Sequence, residues 1–248
     1  MTSSLVGSEM FIRDSLYDSR TGPSDPELIR QAQVGYYACI THLDHQIGRL
    51  ILALKEYEVF DNSIILFTSD HGEELCDHHM WRKARPYEGS CHIPMIITAG
   101  KNVLPGIVPS SVCRDIVELR DVMPTLLDIA GAEIPDTVDG HSLLPLVRDP
   151  GQSLRSWLHG EHAFSEFSNH WIVTKCDKYI WYSSSGEEQY FNLEGDPHEL
   201  NNLINNPSYQ ERIRELREHL IDSLSGRPEG YTDGKKLEMT EVYHPLIK

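Results

Sequence analysis

The sequence predicts an α/β chain in two parts: a layered core over residues 22–150 and a small antiparallel sheet with a packed helix over residues 151–226. Three observations carry this reading. A long amphipathic stretch ending near Leu54 leads into the continuous apolar run Ser63-Ile-Ile-Leu-Phe-Thr-Ser69. A second such run lies at Pro94-Met-Ile-Ile-Thr-Ala99. Beyond Pro150 the pattern changes to short aromatic segments separated by polar turns.

Met1 to about Ser15 has no periodicity that joins it to the rest of the chain, so residues 1–21 read as an unstructured or artefactual leader. Ser24-Asp25-Pro26 is a helix start, with Asp25 suited to cap and Pro26 to the first turn. Ile29, Ala32, Tyr36, Ile40, Leu43, Ile47, Leu50 and Leu54 then step by three or four residues, forming a stripe expected to face a core. Glu56 to Asn62 closes that helix. The run at Ser63 suits a strand buried on both faces of a parallel sheet, and Pro94 to Ala99 suits a second buried strand ended by Gly100.

Asp121 to Ala130 reads as a short helix stopped by Gly131, and Glu133 to Gly140 as a loop. Trp171 to Thr174, Lys178 to Tyr182 and Gln189 to Leu193 are predicted antiparallel strands, turning at Cys176-Asp177 and at Ser183 to Glu187. Ile213, Leu216, Leu220 and Leu224 space a last amphipathic helix within Tyr209 to Leu224. Residues 227–248 form a tail.

Composition narrows the function classes. A hydrophobic fraction of 40% supports a real core, and a net charge of −16 repels nucleic-acid backbones and anionic membranes. Neither a membrane helix nor a signal peptide is readable, so the chain is expected to be soluble with no membrane insertion. The five cysteines are scattered without a C-x-x-C pair, which favours reduced, mostly buried thiols over disulfides or a zinc knuckle. An acidic protein acting on an anionic substrate must gather cations locally, through a metal or a few placed Lys, Arg and His.

Asp70-His71-Gly72 meets that need, because it comes directly after a predicted strand, at the carboxyl end where open α/β sheets place ligands. A carboxylate beside an imidazole suits one divalent cation, although an Asp in this position also serves as a helix cap. Asp77-His78-His79 and Trp81-Arg82-Lys83 add charge in the next loop, and Lys83 is close enough in sequence for its ammonium to return and neutralise an oxyanion. As solvated loop charges, Arg82 and Lys83 would have no such role. The cluster His159, Glu161 and His162 is either a polar strand edge or a substrate contact at the rim of a pocket.

Ser69-Asp70-His71-Gly72, Asp77-His78, Trp81, Lys83, Tyr87-Glu88 and His92 to Ile97 together resemble the sulfatases of the alkaline phosphatase superfamily. Tyr36-Tyr37-Ala38, Asp121 to Gly131, Asp139 to Pro145, Tyr190 to Leu193 and Asp196 to Leu203 extend the resemblance over about residues 22–224. It implies the C-terminal portion of a three-layer sulfatase/alkaline-phosphatase-like core, making residues 22–150 a partial catalytic core. It also implies Asp70 and His71 as metal ligands, Lys83 as the catalytic and sulfate-contacting residue, and His78 as a further substrate contact, while His162 is a candidate substrate contact only as part of the strand-edge cluster. The metal would be a divalent ion, calcium or alternatively manganese, and the partner a small-molecule or carbohydrate sulfate ester.

The resemblance also implies a formylglycine nucleophile made in a C-x-P-S-R-like motif. No Cys or Ser of this chain begins one, and the family's early Asp-Asp ligand pair and leaving-group histidine have no match. The chain is therefore expected to be the C-terminal part of a sulfatase, with formylglycine in the missing N-terminal part, and inactive alone. His71 stands where many sulfatases carry Asn, which leaves open a phosphonate monoester or phosphodiester hydrolase on the same fold. A non-catalytic sulfatase-like binding protein is the third reading.

Overall fold

The computed structural model describes residues 25–83, 85–162 and 168–240. The leader expected over residues 1–21 lies outside the described residues, as do residues 241–248 of the tail expected over 227–248; residues 227–240 instead pack on the second unit, with Tyr231 buried in its core and Arg227 paired with Glu161. The chain divides into two compact units, residues 1–83 with 89–107 and residues 84–88 with 108–248. Among the described residues no helix is long and apolar enough to cross a membrane. All five cysteines are free thiols; Cys39 and Cys176 are exposed and the other three half-buried, which corrects the expectation of mostly buried thiols.

In the first unit, helix α1 spans Pro26–Glu56. The Asp25 carboxylate accepts the Glu27 N–H at 2.9 Å, and Pro26 occupies the first turn, where its missing N–H goes unused. Strand β1 (Ile64–Thr68) comes after a single 3-10 turn at Phe60–Asn62. A four-residue helix α2 (Glu88–Cys91) precedes strand β2 (Met95–Ala99).

Two expectations are corrected here. The apolar stripe of α1 is not buried: the helix has no buried residue, and Ile40, Leu43 and Leu50 are 46%, 52% and 58% exposed. Periodicity establishes an amphipathic face without identifying what covers it. Strands β1 and β2 pair antiparallel rather than parallel, with Ile64 opposite Ala99 and Thr68 opposite Met95. Neither is buried on both faces, β1 being half-buried throughout and β2 alternating half-buried with exposed. An apolar run reports shielding from water, and the direction of the neighbouring strand leaves no mark on it.

In the second unit, α3 (Val122–Ile129) ends where Gly131 adopts φ +67°, a left-handed conformation that suits glycine. The sequence pattern did not reveal α4 (Leu144–Arg148), a short helix with buried Leu144 and Leu146. Asp121, fully buried, ties this region together. Its two oxygens each accept an Arg155 guanidinium N–H at 2.6 Å, and they also accept the backbone N–H groups of His141 at 2.8 Å and Glu118 at 2.9 Å.

Strands β3 (Leu158–His162), β4 (Asn169–Val173), β5 (Asp177–Tyr182) and β6 (Glu188–Asn192) form one antiparallel sheet in chain order. Alternation sends Ile172, Tyr179, Trp181 and Tyr190 into the core, where they pack with Ile213, Leu216, Leu220 and Leu224 of α5 (Gln210–Leu224). Ion pairs flank that core: Arg212 reaches Asp177 at 2.7 Å and Arg217 reaches Glu188 at 2.5 Å. Lys178 points to the other face, fully buried, and donates to Glu88 at 2.7 Å and to the Pro86 carbonyl at 2.9 Å.

Leu220 is fully buried at the centre of the α5 stripe. Leu220→Ala is expected to destabilise this unit by about 2–5 kcal/mol, from lost transfer energy and the cavity left behind. Urea denaturation measures it, and a loss below about 1 kcal/mol would contradict the packing described.

Candidate functional site

Strand β1 ends at Thr68, and the chain turns at once into Ser69-Asp70-His71-Gly72. Short local bonds replace the ladder there: Ser69 Oγ donates to the His71 carbonyl at 2.6 Å, and Asp70 Oδ1 accepts the His71 N–H at 3.1 Å. His71 Nδ1 lies 2.7 Å from the Gly72 carbonyl oxygen. A carbonyl only accepts, so Nδ1 carries the ring proton and Nε2 presents a lone pair. The Lys83 ammonium donates to that lone pair, and Asp70 Oδ2 lies 3.5 Å from the same nitrogen. Asp70, His71 and Lys83 are thus brought together in an open site, with the Asp70 side chain 82% exposed.

The loop that returns Lys83 is held by its own backbone. Glu73 Oε1 accepts the N–H groups of Leu75 at 3.2 Å and Arg82 at 2.5 Å, and the Glu74 N–H donates to the Arg82 carbonyl at 2.9 Å. Leu75, Cys76, His78, His79 and Arg82 all adopt positive φ, an unfavourable conformation for residues with a Cβ. Such concentrated strain persists only where the surroundings over-determine it. His78, half-buried, sits at φ +51° within the 3-10 turn Asp77–His79. Beside His71, the Gly72 N–H donates to the Ser90 carbonyl at 2.8 Å, and a Cβ on Gly72 would lie 2.1 Å from the Gly89 carbonyl oxygen.

These residues fit a divalent cation. A histidine whose Nδ1 proton is committed to a carbonyl and whose Nε2 faces outward beside a carboxylate oxygen is the donor arrangement such ions take. The Lys83 ammonium now takes that lone pair, so an ion on Nε2 would displace it from the ring. Asp70 and His71 are the residues that could hold the ion, with Lys83 adjacent to any anion it binds.

His162 lies in the second unit at the end of β3, opposite Asn169. The same edge strand carries His159 and Glu161, which share one face while His162 takes the other. Glu161 stands opposite His170 of β4, and its carboxylate is 3.4 Å from His170 Nδ1. That contact, with the Arg227 guanidinium at 2.5 Å, outweighs burial and lowers the Glu161 carboxyl to about 2. Burial, then the neighbouring His170, lowers His159 to about 4. The sequence pattern gave no sign of His170 and Arg227, which join the cluster through strand register and tertiary packing; the His159–Glu161 spacing of two was its one local trace.

The chain belongs to the sulfatase family, matching the family described as N-sulphoglucosamine sulphohydrolase, C-terminal, over residues 76–225 and the family described as Sulfatase over residues 15–132. It is 52% identical to an arylsulfatase of Clostridium perfringens over 216 residues, which cover 87% of this chain and 45% of that protein. A solved structure described as bound to its substrate D-glucosamine-2-N,6-O-disulfate is 28% identical with a TM-score of 0.64, over 75% of this chain and 38% of the other. The phosphonate monoester hydrolase of Silicibacter pomeroyi is 29% identical with a TM-score of 0.66, over 74% of this chain and 39% of the other. The chain therefore spans less than half the length of each of these relatives.

Proposed function

We propose that this chain supplies the cation-holding and charge-stabilising side of a sulfuric ester hydrolase acting on small-molecule or carbohydrate sulfate esters. The observation that carries the proposal is the grouping of Asp70, His71 and Lys83 at the end of β1, with the Lys83 ammonium on the lone pair of His71 Nε2. Asp70 and His71 would hold a divalent ion, calcium foremost and manganese as the alternative. When bound, that ion would supply positive charge for the sulfate oxygens. Lys83 would add a compact charge aimed at the same oxygens as negative charge develops on them, an electrostatic contribution that is large when preorganised. His71 would keep its tautomer through the Gly72 carbonyl, so its Nε2 would need no proton transfer to act as a ligand.

The sulfated glucosamine bound by the structural relative supports a carbohydrate sulfate as the substrate class. His78 and His162 are proposed as further contacts to that substrate. The likeness to a phosphonate monoester hydrolase supports a second reading, hydrolysis of a phosphonate monoester with the same three residues in the same roles.

The experiment compares 4-nitrophenyl sulfate with a phenyl phosphonate monoester in a full-length sulfatase that contains this sequence. Sulfate ester turnover exceeding that of the phosphonate is expected. The reverse preference favours the second reading, and turnover of neither overturns both. No nucleophile motif occurs in these 248 residues, so the chain by itself is expected to be inactive on the aryl sulfate.

A further inference from the structure

The geometry points to a zinc-binding site in the second unit, formed by His159 and Glu161 of β3 and His170 of β4. Strand register builds it. Residues 159 and 161 lie on one face of β3, and Glu161 is directly opposite His170, so three ligand-type side chains converge on one patch of sheet. One ligand atom from each lies within 4.8 Å of the others. Zinc binds such donors at about 2.0–2.2 Å, and tetrahedral geometry then sets about 3.4 Å between ligand atoms, so the widest separation must close by about 1.4 Å. Rotation of the three side chains has to supply that movement.

The imidazoles supply the second observation. His170 is fully buried between Trp181, His159 and Tyr231; its Nδ1 faces the Glu161 carboxylate at 3.4 Å, and among the described residues its Nε2 has no hydrogen-bond partner. His159 Nε2 is buried in the same condition. Buried polar atoms without partners are costly, and a metal ion satisfies them where no hydrogen bond does. Two imidazoles and one carboxylate form a donor set that zinc favours, with a fourth position left for water. A cavity of about 360 Å³ lined by Glu118, Arg120, His159, Glu161 and Arg227 gives an ion access to the cluster.

Arg227 opposes the ion. Its guanidinium lies 2.5 Å from Glu161 and also reaches Glu229 at 2.7 Å. Binding zinc requires Glu161 to exchange that cation for the metal, while Glu229 retains the guanidinium.

The test uses the untagged full chain carrying Asp70→Ala, so that the strand-end site does not contribute. Titration with Zn²⁺ alone, in competition with a chromophoric chelator, should give one tight ion per chain. Co²⁺ in its place should give the intense visible bands of a four-coordinate site. Glu161→Gln and His159→Gln lie on the edge strand and are expected to fold, as near-UV circular dichroism would verify. Each should weaken zinc by more than the roughly 10–100-fold typical of changes to residues that only orient a ligand. Arg227→Gln should tighten it. Absence of a stoichiometric zinc ion, unchanged affinity in both folded ligand variants, or failure of Arg227→Gln to tighten binding overturns the site.

Discussion

Replacing Asp121 with alanine is expected to cost about 3–5 kcal/mol of stability, because the change removes the nearest carboxylate from the largely buried Arg155 guanidinium and leaves it only the Glu118 carboxylate at 3.8 Å. The loss extends beyond one ion pair. Asp121 also accepts the backbone N–H groups of His141 and Glu118, so the variant leaves those donors without this acceptor. Urea denaturation of wild type and variant measures the difference, and a loss under about 1 kcal/mol would show that water replaces the carboxylate freely. Asp121→Asn should fall between the two, since an amide fills the space and offers one acceptor but no charge.

The pH dependence arises from the same contacts. Burial pushes the Asp121 carboxyl up, but Arg155 and the two backbone donors outweigh it and hold the group below its ordinary value. A carboxyl with a depressed folded pKa contributes stability that is fully present above the unfolded value, about 3.9, and is lost as pH falls through the folded value. Wild-type stability should therefore drop on acidification below about pH 4, and Asp121→Ala should lack that part of the drop. Parallel acid limbs in the two proteins would assign the acid sensitivity elsewhere.

Lys83→Ala in a full-length sulfatase containing this sequence should lower kcat by about 10²–10³ while metal content stays near that of the parent. Asp70→Ala should lose metal as well as activity, because the carboxylate is proposed to hold the ion itself. Elemental analysis beside steady-state kinetics separates the two roles. An unchanged kcat/KM for Lys83→Ala, or metal loss as complete as in Asp70→Ala, would sink the assignment. Lys83→Arg should recover little of the rate, since a planar guanidinium presents its donors differently from a compact ammonium on His71 Nε2.

The parts of the fold read correctly from sequence were those in which one local pattern serves one partner. Ile213, Leu216, Leu220 and Leu224 repeat at helical spacing and are all buried against the sheet. The α1 stripe has the same kind of spacing and is exposed, because periodicity does not specify a partner. Strand positions were legible from β-branched and aromatic runs, except for β3, whose Leu-His-Gly-Glu-His carries no such run, whereas the antiparallel pairing of β1 with β2 is a long-range property. At the strand end, Asp70 and His71 are sequence neighbours and stood out readily. The return of Lys83 depends on a loop with five left-handed residues, which no propensity encodes. His170 was missed for a related reason: it lies nine positions from Glu161 in sequence, yet opposite it in the sheet.

Residue 72 closes a route by which proteins of this kind diversify. Every missense change reachable by one base from a glycine codon adds at least a Cβ, and here that atom would meet a main-chain oxygen 2.1 Å away, one that no rotamer change can move aside. The same residue's carbonyl fixes the proton on His71, so a shifted backbone would also disturb the imidazole. Mutations that retune the partly exposed loop between Leu75 and Arg82 can accumulate without passing through this position. In a full-length sulfatase containing this sequence, a library randomised at residue 72 should return glycine alone among active clones.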